Sequence, residues 1–373
     1  MNLEAMTEYL DSLIDRGIPS FDCMVYKNHE MIYHHMGGTI DAEYTKPISG
    51  KELYLMFSMT KVQTMVAFMQ LVEQGKVCLE DEVGTYLPAY QNVMVKKDGT
   101  VEKLMSPLKM KHLVSMQSGL DYDLERAGII RVLKEKGAQA TTRELVDSFV
   151  ETPLNFVPGE RFFYSLSHDV VAAVIEVVSG MSFGEYLEKN IWEPLQMKHT
   201  FFAKPMNDLK NLATQFICTE QGEIVPMEPS CVYQLSECYQ SGGAGLISCR
   251  EDYMKFADTI ACGGVSKDGV RIIKAESIET MKQNLLCDAG REDIARDMGR
   301  KGYGYGCGVQ VLLEPELIGA KAPAGVFGWD GAAGSCITMD TETGISLVYI
   351  QHVRNCGWAY DEIHPTLRDF VFA

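Results

Sequence analysis

The sequence predicts a mixed α/β protein whose sheet is built from both ends of the chain, with a helical region inserted between them. Three observations predict it. Apolar runs bounded by turn residues occur early, at residues 21–26 and 31–35, and return late, at 308–313, 326–329, 335–340 and 345–353. From about residue 90 to 236 the periodicity is mainly helical. The chain has 373 residues and 46% hydrophobic composition, enough to fill two structural layers or an inserted domain. The expected division is a discontinuous sheet domain, residues 1–90 plus 237–373, and a mainly helical domain, residues 91–236.

Each element has a local reason. Glu4, Glu8, Asp11 and Asp15 alternate with Leu3, Leu10, Leu13 and Ile14, which makes an amphipathic helix rather than a basic leader with an apolar centre. Lys27-Asn28-His29-Glu30 joins the first two strands as a hairpin. Val62, Met65, Val66, Phe68, Met69, Leu71 and Val72 are apolar around the whole of a helix, so it is expected to be buried, with Gly75 as its stop. Pro107 suits a first helical position, so Ser106 is expected to cap a helix through Leu108, Leu113 and Val114. Further helices are expected at 142–150, 170–178 and 182–190, the last opened by a Ser182/Glu185 capping box. A Ser248/Glu251 box opens another that runs to Ile260. Residues 262–302 are rich in charge and glycine and read as a loop placed to cover a site.

Composition excludes several functions. The net charge is −17 and the pI about 4.9, and no basic stripe is present, so neither nucleic acid nor an anionic membrane surface is an expected partner. No apolar run is long enough to span a bilayer. Eleven cysteines are scattered without a C-x-x-C pair and read as reduced, packed thiols. Together these predict a cytoplasmic protein. His34 and His35 would face opposite ways on a strand, and no H-E-x-x-H occurs, so no metal is expected. Gly243-Ala244-Gly245 begins a dinucleotide fingerprint but has Ser248 in place of its third glycine, so no cofactor is expected. The nucleophile elbow G-x-S-x-G is absent.

The chemistry centres on Phe57-Ser58-Met59-Thr60-Lys61. Residues three apart share a helix face, so Ser58 and Lys61 meet without tertiary help, a hydroxyl nucleophile beside an amine at the mouth of a buried helix. The same spacing at Ser106 and Lys109 is discounted because the Ser106 hydroxyl is expected to cap a helix. A third polar group is sought in Arg161-Phe162-Phe163-Tyr164-Ser165.

These residues resemble the serine β-lactamase-like hydrolases, the group holding class C β-lactamases, D-Ala-D-Ala peptidases and several carboxylesterases. The resemblance runs through most of the chain in order. It is carried by Leu79-Glu80-Asp81-Glu82-Val83, Met110-Lys111-His112-Leu113 through Ser118-Gly119-Leu120, Pro158-Gly159-Glu160, Trp192-Glu193-Pro194-Leu195, Gly242-Gly243-Ala244-Gly245-Leu246, Gly302-Tyr303-Gly304-Tyr305-Gly306 and Gly328-Trp329-Asp330-Gly331. It implies an antiparallel sheet flanked by helices with an inserted all-α domain. It also implies Ser58 as acyl-forming nucleophile, Lys61 and Tyr164 as proton-transfer partners, and the backbone N–H groups of Ser58 and Ala332 as the oxyanion hole. Which of Lys61 and Tyr164 takes the proton stays open.

Two departures from the family pattern bear on substrate. Trp329-Asp330-Gly331 stands where β-lactamases and peptidases carry a Lys-Thr-Gly or His-x-Gly triplet, so a large apolar wall is expected in place of a cation, unless Arg354 restores one. Leu166 stands where many carry the Asn of Tyr-x-Asn, which removes a partner for a substrate amide. With Trp329, Asp330, Gly331 and Leu166 as substrate-binding residues, the expected activity is hydrolysis of small carboxylic esters. Transfer of the acyl group to another acceptor, a D-amino-acid peptidase or amidase, and a silent binding protein on the same scaffold are the alternatives.

Overall fold

Seven antiparallel strands form the central sheet of the computed structural model, which describes residues 1–202, 209 and 211–373. In spatial order they are Tyr303–Tyr305, Gln310–Leu312, Phe327–Asp330, Cys336–Asp340, Ile345–Ile350, Ser20–Lys27 and Glu30–Gly38. The amino-terminal hairpin is thus added to strands from the end of the chain, with Asp22 opposite Ile350 and Lys27 opposite Ile345. The hairpin turns at Asn28 and His29, both at positive φ (49° and 69°), the conformation a two-residue hairpin loop requires. The backbone N–H of His29 donates to the Asp258 carboxylate at 3.1 Å, and its Nδ1 lies 2.7 Å from the other carboxylate oxygen.

Strand alternation sends the two faces of the sheet into different cores. Phe21, Cys23, Val25, Leu347 and Tyr349 pack with Met6, Leu10 and Leu13 of the Leu3–Asp15 helix and with Leu367 and Val371 of the carboxy-terminal His364–Phe372 helix. Met24, Val348 and Ile350 face the other way, into the larger core containing Met254 and Ala257 of the Arg250–Ala261 helix. That core continues into the helices of the middle of the chain. There the Thr60–Glu73 and Ser167–Ser179 helices pack together, and every residue from Thr60 to Leu71 is buried. A helix buried on all sides needs the all-round apolar surface that its sequence has. It ends where Gly75 takes a positive φ of 66° and donates to the Val72 carbonyl.

Three local expectations are corrected. The Ser182/Glu185 capping box forms, but Ser248 is drawn into a strand opposite Tyr54, and its hydroxyl pairs with Thr200 at 2.8 Å; Cys249 occupies the cap position instead. Ser106 caps nothing. Bonds from Val83 to the Leu108 carbonyl and from Met110 to that of Asp81 hold this stretch extended, so the helix starts only at Met110. Residues 262–302 are not a loop: they hold the Ala275–Lys282 and Asp288–Met298 helices. In the second, buried Asp293 takes Arg161 and Arg296 as partners, so a charged position faces inward and hides the apolar period.

Candidate active site

Ser58 is the one residue between Glu52 and Leu71 that is not buried. It lies in the Phe57–Met59 turn that opens the Thr60–Glu73 helix. Phe57 just before it adopts φ 46°, a left-handed conformation that costs a bulky residue on the order of 1–2 kcal/mol. The surroundings hold it there. The Phe57 ring is fully buried, stands edge-on to Tyr233 and lies under the Arg354 guanidinium, 5.7 Å from the ring centre. Arg354 is therefore stacked on Phe57, outside the cavity lining.

The Lys61 ammonium donates to Ser58 Oγ at 3.0 Å, to the Tyr122 hydroxyl at 2.8 Å and to the Gly243 carbonyl at 2.7 Å. It also sits 4.5 Å from the centre of the Tyr164 ring. Burial pulls its pKa down to about 7, opposed first by Asp169 and then by Asp330. At neutral pH the amine is thus poised between its two protonation states. Tyr164 behaves in the opposite way: burial pushes its phenol well above the usual value, against the contacts with Ser58 and Trp329. The Trp329 indole donates to the Tyr164 oxygen at 2.9 Å. An indole is a donor only, so Tyr164 accepts there and keeps its single proton for the Ser58 side.

The segments carrying the two tyrosines are held side by side. Phe163 donates to the Met116 carbonyl and Leu166 to that of Asp121, while the hydroxyls of Ser118, Ser167 and Ser165 form a buried chain with 2.7 Å links. The opposite wall is the Phe327–Asp330 strand and the turn after it. An added Cβ on Gly331 would lie 2.4 Å from the Met56 carbonyl oxygen, so only glycine lets this turn close on the Ser58 segment. The turn brings Ala332 to the same cavity as Ser58, and the Ala332 N–H has no hydrogen-bond acceptor among the described residues.

The cavity holds about 570 Å³. It is lined by Ser58, Tyr122, Tyr164, Tyr233, Tyr360 and Ala332, and by Arg300, Asp330 and the end of the Asp288–Met298 helix. Ser58, Lys61, Tyr164 and Ala332 are therefore brought together, and Asp330 joins them on the wall, ion-paired with Arg300. Gly331 shapes the turn, and its carbonyl accepts from Tyr360 at 2.9 Å.

Two expected substrate contacts are corrected. Leu166 is 2% exposed and belongs to the main core, because the chain turns inward there to start the Ser167–Ser179 helix. Trp329 is 1% exposed, so it is no wall of the cavity; it stands behind Tyr164 and edge-on to Tyr305. Its removal is expected to act through Tyr164. Trp329→Phe keeps an aromatic ring, though a smaller one, and loses the donor, so kcat should fall about tenfold at unchanged KM, one hydrogen bond's worth. An unchanged kcat in steady-state kinetics would show that the Trp329–Tyr164 bond does nothing for turnover.

Tyr122, Asp169 and Arg300 were not singled out in the sequence. Tyr122 had a signal, since it follows the Ser118-Gly119-Leu120 motif by two residues. Asp169 and Arg300 had none, being defined by partners far along the chain. His168 is fully buried, and its Nε2 lies 3.1 Å from the Val114 carbonyl. No single helix among the described residues is long and apolar enough to cross a membrane.

An antiparallel sheet backed by helices, with a serine opening from a buried Ser-x-x-Lys helix into a tyrosine-lined cavity, defines the class of this protein: a serine hydrolase. The chain belongs to the Beta-lactamase family, whose sequence pattern covers residues 4–355. It is 26% identical over 386 residues to esterase EstB of Burkholderia gladioli, spanning 97% of this chain and 93% of that protein. Its fold is similar to that of EstCE1, described as a hydrolase with promiscuous acyltransferase activity, with a TM-score of 0.81 at 24% identity over 100% of this chain and 99% of that one. Simvastatin synthase (LovD) from Aspergillus terreus superimposes with a TM-score of 0.80 at 19% identity, covering 99% and 98% of the two chains. At such identities the likeness is one of fold.

Proposed function

We propose that this protein hydrolyses small carboxylic esters through an acyl-enzyme on Ser58. The observation that carries the proposal is the Ser58–Lys61 hydrogen bond at the mouth of the tyrosine-lined cavity, with Lys61 near pKa 7. Neutral Lys61 takes the Ser58 proton as Oγ attacks the ester carbonyl, and the N–H groups of Ser58 and Ala332 receive the developing oxyanion. Tyr164, with its high pKa, holds its proton at neutral pH and passes it to the departing alcohol, then recovers one from Lys61. Water enters by the reverse sequence, and the free acid leaves.

The cavity favours neutral esters. Its guanidinium, Arg300, is already paired with Asp330, so it offers no free cation like the one the family's Lys-Thr-Gly lysine supplies. Leu166 is too deeply buried to meet a substrate amide, which disfavours the peptidase reading. Acyl transfer to an alcohol or amine uses the same intermediate and is supported as a second activity by the likeness to EstCE1. On this reading the partner is a small ester or acyl substrate rather than nucleic acid, in keeping with the net charge of −17.

The test is intact-mass spectrometry after exposure to a p-nitrophenyl ester, a fluorophosphonate and a penicillin in parallel, on wild type and Ser58→Ala. Ester turnover and a fluorophosphonate adduct are expected in wild type and not in Ser58→Ala, with no lasting penicillin adduct. A stable penicillin adduct would move the assignment to the peptidase class. No adduct with any reagent would leave a binding protein on a hydrolase scaffold.

A further inference from the structure

The least expected group near the site is a carboxylate. Asp169 lies in the first turn of the Ser167–Ser179 helix, five residues beyond Tyr164, and is completely buried. One oxygen accepts from the Tyr239 hydroxyl at 2.7 Å and from Ser241 Oγ at 2.6 Å. Burial raises the Asp169 carboxyl above its ordinary value, opposed by Ser241, Tyr239, Lys61 and the Gly243 N–H, and its other oxygen has no hydrogen-bond donor in good geometry, an expensive arrangement unless an electrostatic partner lies close. Lys61 is that partner. A Cβ built on Gly243 would stand 2.7 Å from the free Asp169 oxygen, 3.2 Å from the Tyr122 hydroxyl and 3.5 Å from Lys61 Nζ. Lysine and aspartate thus face each other across a glycine with no room for a side chain between them. No hydrogen bond joins them, because the Lys61 protons go to Ser58, Tyr122 and Gly243.

We infer that Asp169 is a positioning residue for the charge of Lys61: a buried carboxylate, kept out of direct contact, that sets the pH at which Lys61 becomes able to accept the Ser58 proton. The inference rests on the proposed role of Lys61 as that acceptor. The geometry explains why the carboxylate stops short of an ion pair. An Asp169–Lys61 hydrogen bond would consume an ammonium proton and draw the amine away from Ser58. Held back behind Gly243, the charge acts through space and leaves the amine on the nucleophile.

The surrounding groups leave this pair in control. Tyr122, Tyr164, Tyr239 and Tyr90, which face Lys61 or Asp169 from four segments, are all pushed upward by burial and stay neutral below pH 9. Cys231 is pushed up to about 11, and His168 on the same helix well down. The remaining nearby carboxylate, Asp330, is ion-paired with Arg300.

The experiment measures the second-order rate of fluorophosphonate labelling of Ser58 between pH 5 and 9, by intact mass, in wild type, Asp169→Asn and Ser241→Ala, with each fold checked by its melting curve. Asparagine keeps an oxygen for Tyr239 and Ser241 and removes the charge. Its acid limb should move about one pH unit towards acid, so that at pH 6 it retains several times more of its plateau rate than wild type does of its own. Ser241→Ala keeps the carboxylate but withdraws a donor that favours its ionised form, and should move the limb the same way by less. A lower plateau with the inflection unmoved in both variants would overturn the inference, since it would make Asp169 a packing residue. Should Asp169→Asn fail to fold, an unmoved Ser241→Ala profile overturns it alone. Absence of labelling in wild type would instead overturn the proposed function, and this inference with it.

Discussion

Lys61→Met is expected to lower kcat/KM for a p-nitrophenyl ester by about a thousandfold. The loss follows from removing the proposed proton acceptor of Ser58, an effect of roughly 10²–10⁴ for general-base catalysis. Two effects on stability oppose each other: methionine of similar length removes a fully buried amine whose charge is costly to desolvate, and it leaves the buried Asp169 carboxylate without its electrostatic partner. The two proteins should also differ in pH dependence. Lys61 is held near pKa 7 when folded against 10.5 for the free side chain, so between these values the unfolded chain binds the extra proton. Stability from this group therefore rises with pH through that window, by about 1.4 kcal/mol per pH unit. Urea titrations of both proteins from pH 7 to 9.5 isolate the slope by difference. Activity within tenfold of wild type would remove Lys61 from the mechanism, and parallel stability profiles would mean that the buried amine is not shifted.

Acid should unfold this protein early. His352 and His364 are buried as neutral rings, with their pKa values pulled down by desolvation to about 4, and burial shifts His168 well down too. Each binds a carbonyl oxygen: His352 that of Ala213, His364 that of Gly334 and His168 that of Val114. Above about 6.5 neither the folded nor the unfolded chain protonates these rings. Below it the unfolded chain does and the folded one does not, so stability drains away as pH falls from 6.5 towards 4. For His352 and His364 the loss is roughly 3 kcal/mol each by pH 4, against a typical total of about 5–15 kcal/mol. The expected result is a urea midpoint that drops steeply between pH 6.5 and 4.5, and less steeply in His352→Gln or His364→Gln. A flat wild-type profile over that interval would show that the rings are protonated in the folded protein.

The parts of this molecule that were legible in advance are those whose information is local. The hairpin at Asn28-His29, the all-round apolar helix after Ser58 and its stop at Gly75 depend on spacing within a dozen residues, and so does the meeting of Ser58 with Lys61. The positions of four of the late strands were readable from apolar runs and the glycine-rich turns between them. Local signals misled where a distant segment competed for the same groups. Ser248 has the right spacing for a capping box, but its backbone pairs with Tyr54 and its hydroxyl with Thr200, two contacts against one cap. Ser106 lost its helix to backbone bonds linking Asp81 and Val83 to the residues that follow it.

The chain order of Ser58, Lys61, Tyr164 and the Trp329-Asp330-Gly331 triplet carries the kind of chemistry expected here, because a nucleophile and its neighbouring base are set by helix spacing and by short motifs. Which side of those motifs meets a substrate is not written in their spacing. Alternation along a strand assigns Trp329 and Asp330 to opposite faces, yet only the packed molecule puts the indole behind Tyr164 and the carboxylate on Arg300 at the cavity wall. The same holds for Tyr122 and Asp169, which come near Lys61 because Gly243, 182 residues further on than the lysine, has no side chain to separate them. Burial and electrostatics depend on what surrounds a group in space. For this protein, the pKa of the proposed base and the shape of the cavity are therefore properties of the fold as a whole, while the identity of the proposed nucleophile is a property of five consecutive residues.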